Sequence, residues 1–146
     1  MYYVGYGMNT NIAGMATRCP AAIDMGSAVL PNHRLVFRLH ADVDESIGED
    51  AEVVLWDITD KCLESLDHLE GYPYYYDRKL VPVYDKHGHE YEAWCYYMVD
   101  KSDLYPPSQS YYDCLVEGYQ SHGMRVEDIN DAVEETSYYE ESVYID

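Results

Sequence analysis

The chain has 146 residues, 47% of them hydrophobic, which suits one domain with a substantial core, and no apolar run approaches the roughly 20 residues that a membrane span needs. Asp and Glu number 28 against 9 Lys and Arg, a formal net charge of −19; such a surface repels phosphate backbones and anionic lipid, so no nucleic acid and no membrane is expected as partner, unless the acidic surface itself imitates DNA toward a DNA-binding protein. The opening residues lack the basic flank and apolar centre of a signal peptide, and Cys19, Cys62, Cys95 and Cys114 are scattered without paired spacing, so the expectation is a cytoplasmic protein with reduced thiols, no zinc site and no disulfide framework.

Tyr2 to Tyr6 reads as a short strand running into Gly7-Met8-Asn9-Thr10-Asn11. Gly5 and Gly7 let the backbone approach a ligand, and a strand end followed by a turn can offer free amides to an anion or oxyanion; Asn9 and Asn11 can equally form plain side-chain turns. The loop has neither GxGxxG spacing nor a Gly-Lys-Ser/Thr ending, so no nucleotide cofactor is expected. Ile12 to Ala16 predicts a helical turn closed by Arg18-Cys19-Pro20. Ala28 to Leu30 predicts a strand, Pro31-Asn32 a turn, and Arg34 to His40 a half-buried strand with Leu35, Phe37 and Leu39 facing one way. Asp42 to Asp50 is read as an acidic loop, and Glu52 to Ile58 as a strand that leads into a helix.

That helix, Thr59 to Gly71, carries the most chemistry. Thr59 or Asp60 can cap its first turn, and Gly71 supplies a left-handed stop. At 100° per residue, Cys62, Leu63, Leu66 and Leu69 fall on one apolar arc, with Glu64, Ser65 and Asp67 outside it. Glu70 falls within about 20° of Leu63, on the arc. A carboxyl held there loses water, and its proton affinity rises toward neutrality, where it can both accept and donate a proton. Fraying of the last turn would instead release Glu70 into solvent, and on helix geometry alone that is the more ordinary outcome.

Beyond Gly71, Tyr75 to Tyr84 and Glu90 to Val99 flank Asp85-Lys86-His87-Gly88-His89 as a hairpin. The His87-x-His89 pair lacks a third ligand nearby, so no metal is expected. Pro106-Pro107-Ser108 starts a helix running to Ser121 or His122 and stopped by Gly123, with Tyr111, Cys114, Leu115 and Gly118 as its apolar stripe. A second helix is predicted over Glu127 to Glu135, followed by an acidic, Tyr-rich tail in which Tyr138, Tyr139 and Tyr144 are read as surface residues. The 18 tyrosines against one Phe suit a polar cavity with aromatic walls. About six strands with a short inserted helix and helices near the end describe a single α+β domain with a mostly β core.

The order of short motifs adds to this. Tyr6-Gly7-Met8-Asn9-Thr10, then Arg18-Cys19-Pro20, a strand ending in Phe37, Val53 to Trp56, Leu66-Asp67-x-x-Glu70-Gly71 and Tyr76-Asp77-Arg78 follow one another as in the gamma-glutamyl cyclotransferase-like family, which the chain resembles over about residues 2–98. The resemblance implies a mixed β-barrel over 1–104, C-terminal helices over 105–136 and a tail over 137–146. It further implies a cavity at one end of the barrel, with Glu70 as catalytic acid/base. The Gly7, Met8 and Asn9 amides would hold the substrate carboxylate or oxyanion, with Tyr6, Tyr76 and Tyr96 beside them. The implied substrate is a small gamma-glutamyl compound, cyclised without cofactor or metal to 5-oxoproline and a free amine or amino acid. Met8 stands where the family has Ser, and Thr10 where it has Leu, so any contact of that Ser hydroxyl is lost. The alternative is a catalytically silent small-molecule-binding or acidic protein-interaction module on the same fold.

Overall fold

The computed structural model describes residues 1–145, with side chains described as far as Ser137. Five strands, β1 (Tyr2–Gly5), β2 (Ile23–Arg38), β3 (His40–Asp57), β4 (Tyr76–Asp85) and β5 (Glu90–Met98), close into a barrel in the spatial order β1-β3-β2-β4-β5. Four of the neighbouring pairs are antiparallel; β1 and β5 close the ring in parallel, with Tyr2 opposite Ala93 and Tyr3 opposite Trp94. The interior is filled by fully buried side chains such as Val4, Leu30, Phe37, Val53 and Val83, and closure removes the free sheet edges that would otherwise pair with other chains.

The strands number five rather than about six because β2 and β3 are longer than their local composition suggests. Segments 28–30 and 34–38 are one strand, with a register shift between Pro31 and His33 where Asn32 takes a positive φ of 59°. The Asn32 side-chain oxygen accepts the Gly48 amide across the irregularity at 2.9 Å. Leu39 does not extend the buried face; with φ 71° it forms the tight turn between paired Arg38 and His40 and is exposed.

The stretch Asp42 to Asp50 is not a loop but the first half of β3, paired with β2 from Ala41 opposite Phe37 to Glu45 opposite His33. The ladder tolerates its acids because they are matched. Asp42, fully buried, accepts from the Met98 amide at 2.9 Å, Arg38 Nη1 at 2.8 Å and Lys101 Nζ at 2.7 Å. Hydrogen bonds and opposite charges replace the water it has lost.

Four helices lie outside the barrel: α1 (Ile12–Arg18), α2 (Asp60–Glu70), α3 (Gln109–Ser121) and α4 (Val126–Ile145). The first extends two residues beyond the expected turn. The last extends ten beyond the expected Glu135, and the surface assignment of Tyr138, Tyr139 and Tyr144 lies outside the described side chains. Ser108 caps α3 by accepting the Tyr111 amide, and Gly123 ends the following turn at φ 65°. Gly118 of α3 packs on the loop after β1 so closely that a Cβ there would overlap Thr10 and come within 2.8 Å of the Asn11 nitrogen. Among the described residues no helix is long and apolar enough to cross a membrane.

The expectation of reduced, unpaired thiols fails at two positions. Cys19, the residue after α1, and Cys62, in the first turn of α2, are joined by a disulfide with their Cα atoms 5.3 Å apart. Their separation of 43 residues gave no local signal, because the barrel brings α1 and α2 side by side. Cys95 and Cys114 are free.

Candidate active site

The helix end that carries Glu70 does not fray. Thr59 Oγ1 accepts the Cys62 amide at 3.1 Å, and at the other end Gly71 adopts φ 66° and ψ 33°. The Gly71 amide bonds to His68 O and the Tyr72 amide to Asp67 O, so the last carbonyls are occupied and the final turn is closed. Leu66 and Cys62 are buried as the apolar arc predicts, while Leu69 is exposed and lies at the mouth of a cavity.

Glu70 lines that cavity, which has a volume of about 200 Å³. Burial pushes its carboxyl from an ordinary 4.5 up to about 7, and the Arg18 cation pulls it partly back. Among the described residues no hydrogen bond reaches the Glu70 carboxyl, so it is available to a ligand. The neighbouring tyrosines cannot compete for its proton. Burial raises Tyr3, Tyr6, Tyr76 and Tyr111 well above the usual phenol range, and they remain neutral donors or acceptors.

The opposite wall is the loop after β1. It is folded back against itself: a Cβ at Gly5 would lie 2.7 Å from the Asn9 carbonyl oxygen, so only glycine fits. Met8–Thr10 forms a 3-10 turn whose main-chain bonds run from the Thr10 amide to Gly7 O and from the Asn11 amide to Met8 O, both 3.1 Å. The Gly7, Met8 and Asn9 amides lie outside those two bonds, and the Met8 amide faces the Tyr111 hydroxyl. Three further contacts lock the loop: Thr10 Oγ1 donates to Gly7 O at 2.7 Å, Trp56 Nε1 to Asn9 O at 2.9 Å, and the Tyr119 hydroxyl to Tyr6 O at 3.0 Å. Thr10, a departure from the family pattern, is therefore a latch. Met8, the other departure, turns its sulfur toward Arg18 Nη2 at 3.5 Å.

Glu70, Tyr6, Gly7, Met8, Asn9, Tyr76 and Tyr96 all line this one cavity. Three of the tyrosines spend their protons on the protein: Tyr6 donates to Tyr96 O at 2.8 Å, Tyr76 to Ala41 O at 2.7 Å and Tyr96 to Asp67 at 2.7 Å. They form a wall held in place from behind. Sequence reasoning missed Tyr3, His40, Ala41, Tyr75 and Tyr111, which also line it. Tyr111 was legible only as part of an apolar stripe on α3, and His40 only as a strand end. His40 shares a hydrogen bond with the Tyr75 hydroxyl at 3.2 Å, and its ring stands edge-on to Tyr111 with centroids 5.4 Å apart.

Comparison with known proteins places this architecture. A solved structure named gamma-glutamyl cyclotransferase superposes with a TM-score of 0.81 at 24% identity, covering 90% of this chain and 85% of that one. The uncharacterized human protein loc79017 gives 0.80 at 25% with the same coverage, and YkqA from Bacillus subtilis gives 0.78 at 23%, covering 94% of this chain and 54% of that one. In sequence, a Methanocaldococcus jannaschii protein provisionally named a gamma-glutamylcyclotransferase is 36% identical over 59 residues, which are 40% of this chain. The match spans about half of that relative's length, 49%. The sequence profile of the AIG2-like family matches residues 50–144, more than half of the chain, and with the cyclotransferase-type barrel this identifies the chain as a member of the AIG2-like family.

Proposed function

We propose that the protein is a gamma-glutamyl cyclotransferase that converts a small gamma-glutamyl compound into 5-oxoproline and a free amine or amino acid. The observation that carries this reading is Glu70, a lone carboxyl in a tyrosine-walled cavity with its proton affinity raised to about 7 and no hydrogen-bond partner among the described residues. Among the described residues no Ser, Cys or Lys lines the cavity, and this chemistry asks for none. The substrate's α-amine attacks its own γ-carbonyl carbon, so the nucleophile arrives attached; such preorganisation contributes about 7–11 kcal/mol in well-oriented cases.

Each step has a residue to match it. Glu70 as carboxylate takes a proton from the α-ammonium, and the freed amine closes the five-membered ring. The γ-carbonyl oxygen becomes an oxyanion beside the Gly7 to Asn9 loop. When the carbon–nitrogen bond to the leaving amine breaks, Glu70 returns the proton to that nitrogen; a carboxylate again, it takes the second proton of the ring nitrogen, which leaves a neutral lactam, and passes that proton on to the released amine. The route uses no metal and no cofactor. At about 200 Å³ the cavity is smaller than the roughly 300–1,000 Å³ of drug-sized sites, so it suits a folded glutamyl unit with the leaving group at the mouth near Leu69, His40 and Tyr75.

The test is incubation with a panel of gamma-glutamyl amines, amino acids and peptides, with 5-oxoproline detected by mass spectrometry. The wild type produces it from at least one, and Glu70→Gln from none. A wild type that binds these compounds without releasing 5-oxoproline would leave the silent binding module as the better reading.

A further inference from the structure

Among the described residues six tyrosines line the cavity, and their hydroxyl protons are not equally free. Those of Tyr6, Tyr76 and Tyr96 are given to Tyr96 O, Ala41 O and Asp67. Tyr75 shares a hydrogen bond with His40 at the exposed mouth. Two hydroxyls only accept. Tyr111 takes the Ala41 amide at 3.0 Å, and Tyr3 takes Asn9 Nδ2 at 2.8 Å. Among the described residues nothing accepts the proton of either.

Of these two, Tyr3 is the one built into the barrel wall of the cavity that Glu70 lines. It sits on β1 at the seam where the barrel closes, paired with Trp56 on one side and Trp94 on the other, and is 4% exposed. Its ring meets that of Tyr96 edge-on at 5.8 Å. After burial itself, the Glu70 charge does most to raise the proton affinity of the Tyr3 hydroxyl, whereas for Tyr111 the Ala41 amide comes first. Asn9, whose main chain is held by Trp56 Nε1, fills a lone pair of the Tyr3 oxygen and so turns the O–H away from itself. Among the described residues the buried Asn9 Oδ1 atom has no hydrogen-bond partner, and Nδ2 makes the contact to Tyr3. A buried phenol whose acceptor side is filled and whose proton is unclaimed is a donor waiting for a ligand oxygen.

We propose that Tyr3 is a catalytic hydrogen-bond donor to the γ-carbonyl oxygen of the substrate. This rests on the cyclotransferase reading above. The Tyr3 O–H bond is not broken: it shortens its contact to the oxygen as negative charge gathers there during ring closure, and relaxes as the same oxygen becomes the lactam carbonyl of 5-oxoproline. Asn9 acts through Tyr3, as its positioning residue.

The decisive experiment measures binding of 5-oxoproline, whose carbonyl oxygen is the former γ-carbonyl oxygen, by calorimetry to the wild type and to Tyr3→Phe. The substitution keeps the ring and removes the proton. We expect about five- to tenfold weaker binding, the loss of one hydrogen bond. On a substrate that the wild type turns over, kcat should fall about 100-fold, with KM moving less than about threefold. Equal 5-oxoproline affinity in the two proteins, or no measurable affinity in the wild type, overturns the assignment. Should Tyr3→Phe fold poorly, the ¹³Cζ resonance of Tyr3 in the wild type decides instead: it shifts on addition of 5-oxoproline if Tyr3 donates, and an unmoved resonance overturns it. A wild type that makes no 5-oxoproline from any gamma-glutamyl compound sinks the cyclotransferase reading on the kinetic arm, while Tyr3 is still judged on the binding arm.

Discussion

Asp67 grips Arg78 at two points, accepting Nε at 2.8 Å and Nη2 at 3.1 Å, and the Arg78 guanidinium lies between the rings of Tyr72 and Trp94, 4.3 and 4.2 Å from their centroids. Asp67 also accepts the Tyr96 hydroxyl. Because Asp67 stands three residues before Glu70, this cluster fixes the last turn of α2 against β4 and β5, and with it the direction of the Glu70 carboxyl.

Arg78→Lys keeps the charge and loses both the planar fork and the stacking. The expected cost is about 1–3 kcal/mol of stability, and kcat should fall about tenfold because the carboxyl is no longer held in one orientation. Thermal melts and steady-state kinetics check this; unchanged kcat in a destabilised protein would show the cluster to be structural only.

Among the described residues Arg18 is the one cation that bears on Glu70, and it opposes the effect of burial. Since the carboxylate form takes the substrate's proton, kcat/KM should rise with pH through a midpoint near 7. Arg18→Gln removes the opposing charge, so the midpoint should move upward by about half a pH unit. A midpoint that stays or moves down would contradict the arrangement.

Glu70 also taxes the fold. Its carboxyl ionises near 4.5 when unfolded and near 7 when folded, so between those values the folded chain holds the extra proton. Stability from this group is complete below pH 4.5 and falls as pH rises to 7, by at most about 3 kcal/mol. Glu70→Gln carries no such penalty. Calorimetry should find its melting temperature above that of the wild type at pH 8, with the gap closing by pH 5; equal melting at pH 8 would argue against a water-poor site.

The Cys19–Cys62 disulfide links α1, which follows the loop, to α2, which carries Glu70. Closing a chain segment of this size stabilises by about 2–4 kcal/mol. Reductant should lower the wild-type melting temperature by roughly 5–15 °C, and the double variant Cys19→Ser, Cys62→Ser should melt at the reduced value with or without reductant. A wild type insensitive to reductant would mean that the two thiols are not joined.

How far the sequence carried depended on the range of the interactions. The ends of α2 were legible because Thr59 and Gly71 act within one turn, and Glu70 could be placed on the apolar arc by angle alone. The fate of that carboxyl was not legible, because whether the arc's last position meets solvent or a cavity depends on Asp67, Arg78 and the barrel end. The acids of Asp42 to Asp50 looked like a loop because their partners, Arg38 and Lys101, come from another strand and a distant segment. Tyr3 was hidden for a similar reason: its neighbours Trp94, Tyr96 and Asn9 are brought to it by strand closure and a loop that doubles back. Cys19 and Cys62 show the same limit, since spacing is informative only when partners are close in the chain.

One carboxyl that carries the proton both ways must change state near neutral pH. The direct measurement is an NMR titration of the Glu70 side-chain carboxyl carbon in the free protein from pH 4 to pH 9. A single transition with a midpoint near 7 is expected. A midpoint near 4.5, the value of a carboxyl in water, would contradict it.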